Sequence, residues 1–181
     1  MSVRIYGNRE IKTLPGAMTR PTSARVREAL FNVWQGQVLG CRWLDLCAGS
    51  GAMGAEALCR GAAEVVGVEK SGAACEMIRQ NWQKVAKPKQ RFEVIKGDVV
   101  QMLERRLINA PLFDLVYFDP PYASELYDSV FMMLSACLSP QGEAAVEYSE
   151  AHWQPAHLPA SLEVVKEKRY GSTRLAFLRR A

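Results

Sequence analysis

The apolar residues of this chain change their spacing in a regular order along the sequence, and that order predicts the architecture. Short apolar runs read as strands at Trp43–Cys47, Val65–Val68, Phe92–Ile95 and Asp114–Phe118. Between and after them the spacing turns helical, over Ala52–Arg60, Ser71–Val85, Val99–Ile108 and Glu125–Leu138. In the second of these, Ala74, Met77/Ile78, Trp82 and Val85 share one face. Gly61 stops the first helix, and Pro140-Gln141-Gly142 is expected to stop the last. Strand–helix alternation of this kind buries a parallel sheet on both faces.

Both ends of the chain depart from that alternation. Ala144–Tyr148, Leu162–Lys168 and Arg174–Leu178 read as three closing strands, with Tyr170-Gly171-Ser172-Thr173 as the turn of an antiparallel hairpin. Residues 1–20 read as an extended or hairpin-like arm. In Pro21–Trp34, Val26, Ala29/Leu30 and Val33/Trp34 recur at helical spacing. The expected fold is therefore α/β, a Rossmann-like seven-stranded sheet with an antiparallel last strand and a short N-terminal extension. Residues 1–36 would form the arm and its helix, and 37–181 the main domain.

Composition narrows the class. A chain of 181 residues, 49% hydrophobic, buries roughly 70% of its unfolded surface and needs no metal or disulfide to hold a core. No apolar run approaches the roughly 18 residues of a membrane span, and Met1–Glu10 lacks the apolar stretch of a signal peptide. The five cysteines (41, 47, 59, 75 and 137) are odd in number and form no C-x-x-C pair. They are expected as free thiols in a reducing, cytoplasmic setting. His152 and His157 have no third ligand nearby, so no metal is expected.

Charge adds a direction. Residues 1–36 hold six cations (Arg4, Arg9, Lys12, Arg20, Arg25 and Arg27) against two acids, whereas the remainder balances 17 against 17. The whole net charge of +4 therefore sits in the amino-terminal fifth. A basic arm on a neutral body suits a phosphate-backbone ligand; a solvated helix face is the plainer alternative.

The first strand runs into Leu44-Asp45-Leu46-Cys47-Ala48-Gly49-Ser50-Gly51-Ala52-Met53-Gly54. Gly49 to Gly54 spell G-x-G-x-x-G, a pattern shared with dinucleotide sites. Asp45 argues against a dinucleotide, because its carboxylate would repel a pyrophosphate. S-adenosylmethionine carries an ammonium and a sulfonium instead, and a carboxylate suits both. Glu69, 18 residues after Gly51, stands where an acid can accept ribose hydroxyls. Asp98 stands where an adenine amino group needs an acceptor, or as the N-cap of the next helix. The expected cofactor contacts are Asp45, Ala48, Gly49, Ser50, Gly51, Glu69, Lys70, Asp98, Val99 and Asp119.

The fourth strand delivers Asp119-Pro120-Pro121-Tyr122 to the same sheet edge. The lone pair of an aryl amine is delocalised into its ring, which makes it a poor nucleophile. If the Asp119 carboxylate and the Pro120 carbonyl accept its two N–H groups, the lone pair can turn toward the sulfonium methyl. Tyr122 offers a flat face on which an extruded base can stack. Asp119, Pro120 and Tyr122 are thus the candidate catalytic residues. Alone, Pro-Pro-Tyr can also be read as a rigid turn; beside Asp45, Glu69 and Asp98 it reads as a catalytic loop.

With these residues in place the chain resembles the RsmD family of bacterial 16S rRNA (guanine-N2)-methyltransferases. The resemblance is carried by Arg20-Pro21-Thr22-Ser23-Ala24-Arg25-Val26-Arg27-Glu28-Ala29-Leu30-Phe31-Asn32, Leu44–Gly54, Glu69, Asp98, Asp119–Tyr122 and Tyr170-Gly171-Ser172-Thr173. It implies N2-methylation of one guanine of 16S rRNA, in the small ribosomal subunit or an assembly intermediate. The enzyme is expected to be a monomer, with Arg4, Arg9, Arg20, Arg25, Arg27 and Tyr122 meeting RNA. The nearest rival is a DNA adenine-N6 or cytosine-N4 methyltransferase, which can carry the same tetrapeptide. Such enzymes usually insert a long recognition region, and Tyr122 here passes directly into the next helix. A nucleotide-binding oxidoreductase leaves Asp45 and Asp119 without a role, and the intact Asp119 and Tyr122 argue against a non-catalytic RNA-binding module.

Overall fold

The computed structural model describes residues 1–14, 24–121 and 125–181. Strands β1 (Ser2–Ile5) and β2 (Arg9–Lys12) form an antiparallel hairpin, with Val3 opposite Ile11 and Ile5 opposite Arg9. Helix α1 (Ala24–Val33) follows. The main sheet is built from β3 (Arg42–Leu46), β4 (Glu64–Glu69), β5 (Arg91–Lys96), β6 (Phe113–Phe118), β7 (Leu138–Tyr148), β8 (Leu162–Tyr170) and β9 (Thr173–Arg180). Its spatial order is β5-β4-β3-β6-β7-β9-β8, parallel from β5 to β7, with β9 antiparallel to both neighbours. Helices α2 (Ala52–Cys59), α3 (Gly72–Val85), α4 (Val99–Arg105) and α5 (Leu126–Cys137) make the crossovers. The seven-stranded fold with its reversed strand is the expected one.

Strand alternation divides the core between the two sheet faces. One face packs Trp43, Leu115, Phe177 and their neighbours beneath α2 and α3, together with Phe31 and Trp34 of α1 and Ile5 and Ile11 of the hairpin. The opposite face packs Leu44, Val116, Val146 and Leu178 against α4, α5 and Trp153. The described part of residues 1–36 thus contributes apolar side chains to the same cluster as the sheet.

The structure differs from the sequence expectation where α5 ends. The helix stops at Cys137 and β7 begins at once, with Pro140-Gln141-Gly142 inside the strand rather than in a helix-ending turn. The ladder absorbs them as a bulge: Phe113 pairs with Leu138, yet Leu115 pairs with Glu143. A proline near the start of a strand, at a bulge, removes no ladder hydrogen bond. Among the described residues no helix is long and apolar enough to cross a membrane, and all five cysteines are free thiols.

Candidate active site

The glycine loop leaves β3 at its carboxyl end, where Cys47 takes a left-handed φ of 61°. That conformation is costly for a side chain and persists only where the surroundings enforce it. Two acids hold the loop from beneath. Asp45 Oδ2 accepts the Gly54 N–H at 3.0 Å. Glu69, at the end of β4, accepts the Gly49 N–H at 2.9 Å with Oε2 and the Ser71 N–H at 2.7 Å with Oε1. Each carboxylate oxygen has a second lone pair, so these bonds leave Glu69 able to accept from a ligand as well. Asp98 is the N-cap of α4, its Oδ1 accepting from Val100 and Gln101 N–H groups at 3.1 and 3.2 Å. The capping alternative raised for this residue is therefore realised.

Position 54 is glycine because of Trp82. A Cβ there would lie 2.3 Å from the indole, whose edge also comes within 2.5 Å of a Cβ built on Gly67. The same ring donates its Nε1–H to the Gly51 carbonyl at 2.8 Å. The third glycine of the fingerprint thus serves helix-to-sheet packing, and the loop rests on an indole.

Asp119 leaves β6 between β3 and β7. Phe118 pairs with both Leu46 and Val146, and the Asp119 N–H lies 3.5 Å from the Leu46 carbonyl. Asp119 is half-buried, Pro120 buried and Pro121 exposed. The four acids singled out in the sequence converge on one spot: burial pushes the Cys47 thiol pKa up, and Glu69, Asp119, Asp45 and Asp98 each add to the shift. Nearby, Glu147 is buried on β7, its Oε2 accepting the Tyr117 hydroxyl while its carbonyl accepts the Tyr127 hydroxyl.

Asp45 is 1% exposed. Burial raises its carboxyl pKa to about 8; the Gly54 N–H opposes the shift and Glu69 reinforces it. A buried acid beneath the loop is unfavourable for a phosphate and compatible with a cationic ligand. Of the other expected contacts, Ala48 and Val99 are buried, Gly49 and Ser50 half-buried, and Lys70 exposed. Gly51 closes the loop in the left-handed conformation, φ 71°.

The arm residues divide. Arg4 is exposed and lies 3.7 Å from Glu10, and Arg9 is exposed. Arg25 is exposed, 5.8 Å over the Tyr170 ring. Arg27 is corrected from the expected RNA-facing set. It is 4% exposed, with Nε on Glu56 Oε2 at 2.6 Å and Nη2 on the Arg4 carbonyl at 2.6 Å. Its register with Leu30 and Phe31 turns it into the core, where an arginine needs a carboxylate partner. Arg20 and Tyr122 lie outside the described residues. Sequence reasoning passed over Trp82 as a loop support and missed Asn81, a polar residue on the apolar face of α3; its place beside Trp82 and Val85 was the available signal.

A doubly wound sheet reversed only at its penultimate position, opening its glycine loop onto carboxylates, is the architecture of the S-adenosylmethionine-dependent methyltransferases, and the chain is of that class. Residues 3–179 match the family described as Conserved hypothetical protein 95. Ribosomal RNA small subunit methyltransferase D of Haemophilus influenzae is 30% identical over 169 residues, covering 92% of this chain and 86% of the relative. The Escherichia coli protein of the same name is 30% identical over 151 residues, covering 82% and 73%. The solved structure of yhhF from Escherichia coli superposes with a TM-score of 0.84 at 27% identity, over 99% of this chain and 98% of that one. The chain belongs to the RsmD family.

Proposed function

We propose that this protein transfers a methyl group from S-adenosylmethionine to the exocyclic N2 of one guanine in 16S rRNA. It would act as a monomer in the cytoplasm, on the small subunit or an assembly intermediate. The observation that carries the reading is the convergence of Asp119 with Glu69, Asp45 and Asp98 around Cys47, at a glycine loop held by the buried Asp45. When bound, the cofactor supplies an electrophilic methyl on a sulfonium. Asp45 holds the loop and offers negative charge beneath it, while Glu69 and Asp98 are the acceptors for its sugar and base. Asp119 and the Pro120 carbonyl orient the target amine, and Tyr122 stacks the base. The exposed cations Arg4, Arg9 and Arg25, with Arg20, meet RNA phosphates. Ribosomal RNA as substrate is supported by the names of the relatives, and guanine N2 by the family resemblance. Free thiols suit a reducing compartment.

The deciding experiment supplies labelled S-adenosylmethionine together with unmodified small subunits, naked 16S rRNA or DNA, and identifies the product nucleoside by mass spectrometry. N2-methylguanosine from the ribosomal substrates is expected. Label only in methyladenine or methylcytosine of DNA would overturn the reading.

Burial of Asp45 predicts a pH dependence. Below pH 8 much of this carboxyl is protonated in the free protein, and a bound cation favours its ionised form. Cofactor binding should therefore release a proton and tighten as pH rises, by up to about tenfold per unit between pH 5.5 and 7. Calorimetry with S-adenosylhomocysteine in buffers of different ionisation enthalpy measures the release. Asp45→Asn should abolish it; an unchanged proton release in that variant would place the titration elsewhere.

A further inference from the structure

Helix α3 holds two parts of the molecule that the proposed reaction must bring together. Asn81, 2% exposed, accepts the Lys12 N–H at 2.9 Å through Oδ1 and returns an Nδ2–H to the Lys12 carbonyl at 2.9 Å. Its Nδ2 also lies 3.3 Å from the Ser50 carbonyl. The amide thus pairs with β2 as a neighbouring strand would, and spends its remaining donor on the glycine loop. The next residue, Trp82, holds the next loop carbonyl, Gly51. One turn on, Lys84 Nζ holds the Glu10 carbonyl of the same hairpin at 2.9 Å.

The loop is therefore bonded on two sides. Its N–H groups at Gly49 and Gly54 face Glu69 and Asp45, on the side proposed for the cofactor. Its carbonyls at Ser50 and Gly51 face Asn81 and Trp82. The Ser50 carbonyl and Lys12, the last residue of the basic hairpin, thus share one buried amide, which links a shift of either peptide to the other. Burying an amide on an apolar helix face is costly unless its bonds are made; a leucine there would pack without specifying one register of hairpin against loop.

We propose that Asn81 is a positioning residue that couples the glycine loop to the basic hairpin, so that cofactor and RNA each tighten the binding of the other. The inference rests on the proposed cofactor and RNA sites. Binding of S-adenosylhomocysteine is measured by calorimetry with and without saturating naked 16S rRNA transcript, and RNA binding with and without S-adenosylhomocysteine. In the parent protein each should strengthen the other by the same factor, about tenfold, as linkage requires. In Asn81→Ala that factor should fall to about one, while the affinity for S-adenosylhomocysteine alone changes less than about threefold. Lys84→Met, which removes the Glu10 contact but leaves the Asn81 bonds to Lys12 and Ser50 in place, should keep the factor. A merely structural amide would lower stability without changing the ratio.

Coupling in Asn81→Ala equal to the parent's overturns the proposal, as does a parent that binds both ligands independently. Absence of S-adenosylhomocysteine binding to the parent fails the underlying reading instead, and takes this one with it. If Asn81→Ala does not fold, exchange of the Lys12 amide in the parent decides: slower exchange with S-adenosylhomocysteine supports coupling, and unchanged exchange overturns it.

Discussion

Asp119→Ala should lower turnover by at least about 10²-fold, the usual cost of removing one oriented polar group from a reacting centre, while S-adenosylhomocysteine still binds within a fewfold of the parent. The expectation follows from where Asp119 sits. It leaves β6 between two paired strands, with its N–H directed to the Leu46 carbonyl and Pro120 buried behind it. A residue so placed has its backbone fixed before substrate arrives, which limits the reorganisation left for the reaction itself. Because the aryl amine has to turn its lone pair out of conjugation, the loss should fall on the chemical step. Single-turnover rates with saturating cofactor separate that step from binding. Asp119→Asn is the sharper variant, since it keeps the shape but presents an amide donor where an acceptor is needed. Turnover equal to the parent's in both variants would remove Asp119 from the reaction.

The order of strands and helices was legible because the apolar spacing is local and each element carries it alone. The acids were legible for a related reason: in a parallel sheet the ends of successive strands meet at one edge, so Asp45, Glu69, Asp98 and Asp119 had to converge. What pattern reading missed lies in long-range partners. Gly54 matches a phosphate-loop signature, yet its lack of a Cβ is required by Trp82 on another helix. Asn81 breaks the apolar face of α3, and only the folded chain brings Lys12 and Ser50 to it. Pro140-Gln141-Gly142 has the composition of a turn, but the pairing of Leu138 with Phe113 draws it into a strand. Counting charges along 1–36 treated every arginine as solvated, although Arg27 shares the helical register of Leu30 and Phe31.

That misplaced arginine carries the second large effect, on stability rather than rate. Glu56 is buried on α2 and held by two cations, Arg27 on Oε2 at 2.6 Å and Arg60 on Oε1 at 2.8 Å. Arg27 also ties α1 to the hairpin through the Arg4 carbonyl, while its Nη1 is buried without a partner among the described residues. Truncating one side of a buried pair strands the other charge, which typically costs about 3–5 kcal/mol. Arg27→Met should sit near the low end, because Arg60 still neutralises Glu56, and should lower the melting temperature by about 10 °C in a domain of this size. Replacing Arg27 and Glu56 together by methionine should cost less than the sum of the two single replacements, a non-additivity that a double-mutant cycle reads directly. The same variant separates structure from recognition. If Arg27 is spent on Glu56, folded Arg27→Met should keep the salt dependence of RNA binding, whereas a phosphate contact would flatten the log–log slope by about 0.7. A flattened slope with an unchanged melting temperature would return Arg27 to the RNA-facing surface.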